Sequence, residues 1–127
     1  MSEPDSKPVV LLVDDEPLPL SLIARALQAT CDVYTAASAE EAALHVAAQP
    51  FDVIVCDHMM TGEQGISFLM RMMEKHPGTR RILMTGYTSP EFIARSTALA
   101  GLSACLVKPM KASEVAQVIH NVLASPA

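Results

Sequence analysis

The chain has 127 residues, half of them apolar, which suits one domain with a continuous core and leaves too little for two. Nine Lys and Arg against 14 Asp and Glu give a formal net charge of -5, and this excess of carboxylates argues against a nonspecific, phosphate-tracking nucleic-acid surface. Cys31, Cys56 and Cys105 are too widely spaced for a zinc motif, the opening "MSEPDSKP" excludes a signal peptide, and no apolar run reaches the roughly 18 residues of a membrane span.

A cytoplasmic protein with reduced, buried thiols is therefore expected. Residues 1–7 read as a disordered N-terminal segment, 8–124 as the folded domain and 125–127 as a short tail. The first strand, Val9 to Val13, runs straight into Asp14, Asp15 and Glu16. Two carboxylates about 4 Å apart repel by roughly 4 kcal/mol at an effective dielectric near 20, so this cluster at the mouth of a buried strand calls for a cation. The helix that follows Glu16, "PLPLSLIARAL", is more apolar than one buried stripe needs. Leu20, Ile23, Ala24 and Leu27 make one face, and Leu18 and Leu22 fall off it.

A second strand spans Asp32 to Ala36, after which Ser38 followed by Glu41 fits a capping box for a helix ending at Pro50. The third strand, Phe51 to Cys56, delivers Asp57, and a third helix covers Gly65 to His76. The fourth strand, Arg81 to Met84, delivers Thr85. Ser89 as N-cap, Pro90 at the first helical position and Gly101 as a left-handed stop bound the fourth helix. The fifth strand, Ala104 to Val107, leads into Lys108 and Pro109, and the last helix runs from near Ser113 to Ala124. Several strands are too uniformly apolar to have a wet face. Five strands alternating with five helices imply right-handed crossovers and an α/β fold with a three-layer, doubly wound parallel sheet. The eight methionines suit core filling. His45, His58, His76 and His120 lack metal-ligand spacing and are expected in solvent or on helix faces.

In such a sheet, ligands bind beyond the carboxyl ends of the strands, where strand order reverses. The residues leaving the strands are Asp14 and Asp15, Asp57, Thr85, and Lys108 with Pro109, whereas the second strand offers only Ala36, Ala37 and Ser38. Carboxylates plus waters suit magnesium. With the ion present, one carboxylate can attack phosphorus, while Lys108 pairs with a phosphoryl oxygen and Thr85 donates a hydrogen bond to another.

This set, "DD" at 14 and 15, "VIVCDHMM" with Asp57, "ILMTGY" with Thr85 and "LVKP" with Lys108, resembles the response-regulator receiver domain of bacterial two-component signalling, in the CheY-like superfamily. The resemblance covers about residues 8 to 124. It implies a flavodoxin-like (βα)5 fold with strand order 2-1-3-4-5. It implies Asp57 as phosphoacceptor, taking its phosphoryl group from a phosphohistidine on a sensor histidine kinase or histidine phosphotransfer protein. Magnesium would be held by Asp15 directly, by Asp14 mainly through water, by Asp57 and by the carbonyl of Met59. Thr85 would swing toward the phosphoryl group, Lys108 would hold it, and the Lys108–Pro109 bond would be cis. Gly65 matches the family's glycine eight residues past the phosphoacceptor. The implied chemistry is limited to the domain's own phosphorylation and dephosphorylation. The implied output is altered binding to a downstream effector or to a second copy, through the fourth helix, fifth strand and fifth helix, with no direct nucleic-acid or membrane contact.

The chain departs from the pattern in three places. Thr61 stands where the family usually has proline, which makes the loop after Asp57 less stiff. Cys105 occupies the position of the usual switch Tyr or Phe, leaving Tyr87 either as a substitute reporter of state or as an exposed loop residue. Met59 and Tyr87 flank the phosphoryl group in the family, and neither positions an attacking water well. Slow self-dephosphorylation is expected, read as phosphate release over times longer than seconds.

Three other readings compete. A haloacid-dehalogenase-like phosphatase needs a second Asp two residues after the nucleophile, and Met59 stands there without a proton to give. A receiver-like interaction module that is never phosphorylated has no need of the intact Asp, Thr and Lys set. A flavodoxin-like nucleotide binder lacks its glycine-rich loop after the first strand. Leu18 and Leu22 are either a partner contact, since the family's kinase-docking surface uses this helix, or imperfect periodicity.

Overall fold

Val10–Val13 and Val53–Cys56 are buried along their whole length, and because successive side chains of a pleated strand point to opposite faces, both faces of these strands must be covered. The computed structural model describes residues 7–125 apart from Thr88, so most of the expected N-terminal segment and residues 126–127 of the tail lie outside the described residues. In chain order the elements are β1 (Val9–Val13), α1 (Pro17–Leu27), β2 (Asp32–Ala36), α2 (Ala39–Ala48), β3 (Val53–Asp57), α3 (Gly65–Lys75), β4 (Arg80–Thr85), α4 (Pro90–Ala100), β5 (Ala104–Val107) and α5 (Ala112–Ala124). The five strands form one sheet in the order β2-β1-β3-β4-β5, every pair parallel. This is the flavodoxin-like arrangement.

The period of two sorts the core into layers. Leu11, Val13, Ile54, Cys56 and Leu83 face one side and pack with Ala42 of α2, Phe68, Leu69 and Met72 of α3, and Ala100 of α4. Val10, Leu12, Val53, Val55, Ile82, Met84 and Leu106 face the other side, against Ile23 and Leu27 of α1 and Val115 and Ile119 of α5. Reversal of strand order between β1 and β3 leaves a crevice at their carboxyl ends, where Val13 stands beside Cys56 and Asp57 beside Met84.

Helix ends follow local chemistry. Ser38 Oγ accepts the Glu41 N–H at 3.1 Å while the Glu41 carboxylate accepts the Ala37 N–H at 2.8 Å. Ser89 Oγ accepts the Phe92 N–H at 3.3 Å, and Gly101 stops α4 with φ of 57°. Boundaries shift from the sequence expectation by a residue or two. β3 starts at Val53 and includes Asp57, while buried Phe51 precedes it and stacks edge-on against Tyr34 at 5.5 Å. α5 begins at Ala112 without a Ser or Thr cap, because the Glu114 carboxylate reaches back to the Lys111 N–H at 2.8 Å. The methionines divide between two environments: Met60, Met72 and Met84 are buried, but Met59 and Met70 are exposed, so core filling explains only some of them. Cys31 and Cys56 are buried and Cys105 half-buried, all as free thiols. Among the described residues no helix is long and apolar enough to cross a membrane.

Candidate functional site

The strand ends at the crevice deliver its polar groups, two of them from β1. Asp14 leaves β1 almost wholly buried, with its own N–H donated to Ala36 O at 3.0 Å. Asp14 Oδ1 accepts the Glu16 N–H at 2.9 Å, but Oδ2 is buried with no donor. Half-buried Asp15 is held across the crevice, its Oδ2 accepting both the Thr61 N–H at 2.9 Å and the Thr61 hydroxyl at 3.1 Å. Asp57, at the end of β3, is 1% exposed. One oxygen from each of Asp14, Asp15 and Asp57 lies within 4.8 Å of the others.

Opposite them, Lys108 Nζ lies 2.5 Å from Asp57 Oδ1. This close, charge-assisted contact is the partner that Asp57 Oδ1 has among the described residues. The Lys108–Pro109 peptide is cis, and the Lys108 N–H donates to Thr85 O at 2.8 Å, joining β5 to β4 at the crevice. Thr85 is buried, and its Oγ1 accepts the Tyr87 N–H at 3.0 Å. Beside Asp14 and Lys108 a cleft of about 270 Å³ opens, walled by Pro19, Ile23, Met84 and Pro109.

Gly65 sets how closely α3 can start against the carboxyl end of β3. A Cβ there would stand 2.2 Å from Asp57 O and 2.9 Å from His58 Cα, so glycine is required by contact with backbone. Its N–H closes the loop onto His58 O at 3.0 Å.

Burial pushes the Asp14 carboxyl up from its ordinary value, opposed by the Glu16 N–H, with the charge of Asp57 adding to the rise. Burial likewise pushes Asp57 up, against the pull of Lys108. For Lys108, burial works downward, but the Asp57 carboxylate and then Asp14 and Glu16 outweigh it, and its affinity for the proton rises. One ammonium therefore faces three crowded carboxylates. A hard divalent cation fits this donor set, because it would take the orphaned Asp14 oxygen and offset the remaining negative charge.

The structure corrects the expectation for one histidine. His58 is only 4% exposed, with its ring edge-to-face against Phe92 at 5.1 Å and Tyr87 at 5.7 Å. Burial pulls its pKa down, opposed by Asp57, and Nδ1 has no partner. Strand alternation carried the signal: His58 continues the Ile54, Cys56 face, which lies in the layer beneath α4. The other three match expectation, with His45 on α2 meeting Thr35 O at 3.1 Å, His120 on α5 meeting Thr30 Oγ1 at 2.8 Å, and His76 ending α3. Tyr87 is 47% exposed but is not a free loop residue: its ring lies 5.1 Å from Phe92 and its hydroxyl 3.7 Å from Met59 Sδ. Cys105 packs half-buried on the same core layer as Phe92. On α1, Leu18 and Leu22 are exposed while Ile23 and Leu27 are buried, as the displaced stripe requires.

Comparison with known proteins agrees with this architecture. Residues 10–120 match the family described as the response regulator receiver domain. The hydrogenase transcriptional regulatory protein HoxA of Cupriavidus necator is 37% identical over 105 residues, which are 83% of this chain and 22% of that protein. The chain thus spans only that small part of HoxA's length. The chemotaxis response regulator CheY4 of Vibrio cholerae superposes with a TM-score of 0.83 at 30% identity, covering 92% of this chain and 99% of that one. A CheY-like receiver domain protein from Methanospirillum hungatei gives 0.85 at 26% identity, covering 93% and 94%. Together with the 2-1-3-4-5 sheet and the acidic crevice at its switch point, the match shows that this chain belongs to the response regulator receiver domain family, a signalling family of two-component systems.

Proposed function

We propose that Asp57 accepts a phosphoryl group, in a magnesium-dependent step, from a phosphohistidine on a sensor histidine kinase or histidine phosphotransfer protein, and that the added charge switches protein–protein interactions. The observation that carries this reading is the convergence on one buried crevice of three carboxylates, with oxygens within 4.8 Å, and of Lys108 Nζ, 2.5 Å from Asp57. Asp14, Asp15, Asp57 and the carbonyl of Met59 would hold the ion. A bound magnesium ion supplies charge neutralisation between an anionic nucleophile and an anionic phosphoryl group.

Asp57 supplies the attacking oxygen, which forms the new O–P bond as the P–N bond of the phosphohistidine breaks. The imidazole leaves with the electron pair of that bond, neutral and with its other nitrogen protonated. Lys108 exchanges its carboxylate partner for a phosphoryl oxygen, and the Thr85 hydroxyl donates to another. Since Thr85 Oγ1 also accepts the Tyr87 N–H, any movement of Thr85 is felt by the loop that begins α4. Phosphorylation adds about two negative charges at this point, enough to bias a loop and helix between two arrangements.

Output through α4, β5 and α5, either to a downstream effector or to a second copy, fits the exposed Leu99 on α4 and half-buried Cys105 on β5. HoxA is a transcriptional regulatory protein, and a transcriptional effector is one partner consistent with this reading. Met59 and Tyr87, whose side chains touch at 3.7 Å, would shield the acyl phosphate from water and lengthen its life. Radiolabelled acetyl phosphate tests the proposal. Incorporation is expected in magnesium and is lost with chelator or in Asp57→Asn; labelling of that variant at the wild-type level would overturn the assignment.

A further inference from the structure

The Thr61–Asp15 contact joins two loops 46 residues apart in sequence, and it uses both donors that Thr61 possesses on one oxygen, Asp15 Oδ2. No hydrogen bond among the described residues involves Asp15 Oδ1. A carboxylate offers about four lone-pair sites, so two donors on one oxygen leave the other free to coordinate. Proline, the residue usual at this place in the family, has neither an N–H nor a hydroxyl and could make neither bond. The threonine is therefore not a neutral loosening of the loop.

Resting on the magnesium reading above, we propose that Thr61 is a positioning residue that presets Asp15 for the divalent ion. Without it, repulsion from Asp14 and Asp57 favours rotation of the Asp15 side chain out of the crevice, and ordering that side chain opposes ion binding. With it, Asp15 already stands within 4.8 Å of the other two carboxylates, and the ordering has occurred during folding. The same contact ties the β1–α1 loop to the loop carrying Met59, so two expected sources of ion ligands move as one body. Gly62, at φ of 87°, turns the chain immediately after the contact.

Magnesium binding by isothermal calorimetry on the unphosphorylated protein tests the idea. Loss of partners that orient a metal ligand typically weakens affinity 10–100-fold, so Thr61→Pro, lacking both donors, is expected to weaken magnesium binding about 10-fold. Thr61→Val keeps the N–H and the volume and loses only the hydroxyl, with an expected loss of about 3-fold, while Thr61→Ser stays within about 2-fold of wild type. Thermal unfolding of the metal-free variants checks that each is folded, and Thr61→Val decides the matter if the proline variant is not. Rescue by serine separates positioning from mere loop packing. Equal or tighter binding in both Thr61→Val and Thr61→Pro would overturn the role of Thr61 alone, whereas a wild-type protein that binds no magnesium would overturn the magnesium reading with it.

Discussion

The two edges of the one sheet treat buried polar groups in opposite ways. At the amino-terminal edge, Thr79 Oγ1 donates to Phe51 O at 2.8 Å, and the buried Arg81 guanidinium donates to Thr79 O at 2.6 Å, Ala100 O at 2.8 Å and Gly101 O at 3.2 Å. Every branch of that guanidinium has a carbonyl. At the carboxyl-terminal edge, Asp14 Oδ2 and His58 Nδ1 are buried without a hydrogen-bond partner among the described residues, and Asp57 Oδ1 has only the Lys108 ammonium. Native folds satisfy nearly all such groups, so their concentration at one edge marks where stability has been traded for a task. The first edge is tied by hydrogen bonds among its own groups, whereas the second gathers carboxylates that fit a cation.

The largest effect that breaks this contrast is expected where the ligand-ready edge meets the core. Gly65→Ala would drive a Cβ to 2.2 Å from the Asp57 carbonyl, and because the obstacle is backbone, α3 must move away from β3. A loss of about 3 kcal/mol follows for overpacking of this kind. Thermal denaturation should show a melting temperature lower by about 10 °C. An unchanged melting temperature would show that α3 does not start against Asp57 as described.

Next comes the satisfied edge. Arg81→Leu retains an apolar stem but leaves the carbonyls of Thr79, Ala100 and Gly101 without that donor, at about 1 kcal/mol each for a total near 3 kcal/mol. Chemical denaturation reads this loss, and magnesium calorimetry on the same variant should match wild type. A change in metal affinity comparable to that of a crevice variant would mean that the two edges are not independent.

Much of this was legible in the chain itself, for a reason of periodicity. Alternation in "VVLLV" and "VIVCD" assigns Leu11, Val13, Ile54 and Cys56 to one layer and Val10, Leu12, Val53 and Val55 to the other, and it places Asp14, Asp57, Thr85 and Lys108 at strand ends. Parallel topology then brings those ends together. Contacts between loops follow no period, and the bond from Thr61 to Asp15 was hidden for that reason. Thr61 appeared only as a missing proline, with no indication of what its N–H would reach. His58 is intermediate: alternation implied its face, but burial came from Phe92 on α4 and from Tyr87, neither of which is a strand neighbour. The start of α5 at Ala112 was displaced because its cap comes from the Glu114 carboxylate reaching backward and not from a Ser or Thr ahead of it.

The smallest predicted effect has the opposite sign, and for that reason it tests the contrast most directly. Asp14→Asn keeps an oxygen for the Glu16 N–H and replaces a buried, donorless carboxylate oxygen with an amide that can itself donate toward Asp57. Removing the repulsion should stabilise the metal-free protein by about 1 kcal/mol at pH 7, raising the melting temperature by about 4 °C. The pH dependence carries the same sign. Burial raises the Asp14 and Asp57 carboxyls above the ordinary 3.8, so between that value and the raised one the folded state binds more protons than the unfolded state. Stability from these two groups is greatest below pH 3.8, falls as pH climbs through the raised values, and stays low above them. Glu63, held below its ordinary range chiefly by Arg71, slopes the other way and is common to both proteins, so the difference between wild type and Asp14→Asn isolates the crevice. That difference should grow from acid to neutral pH and change sign in saturating magnesium, since an ion at 100 times its Kd adds about 2.7 kcal/mol to a protein that binds it and little to one missing a ligand. A variant less stable than wild type at pH 7 without metal would mean that Asp14 is there for the fold.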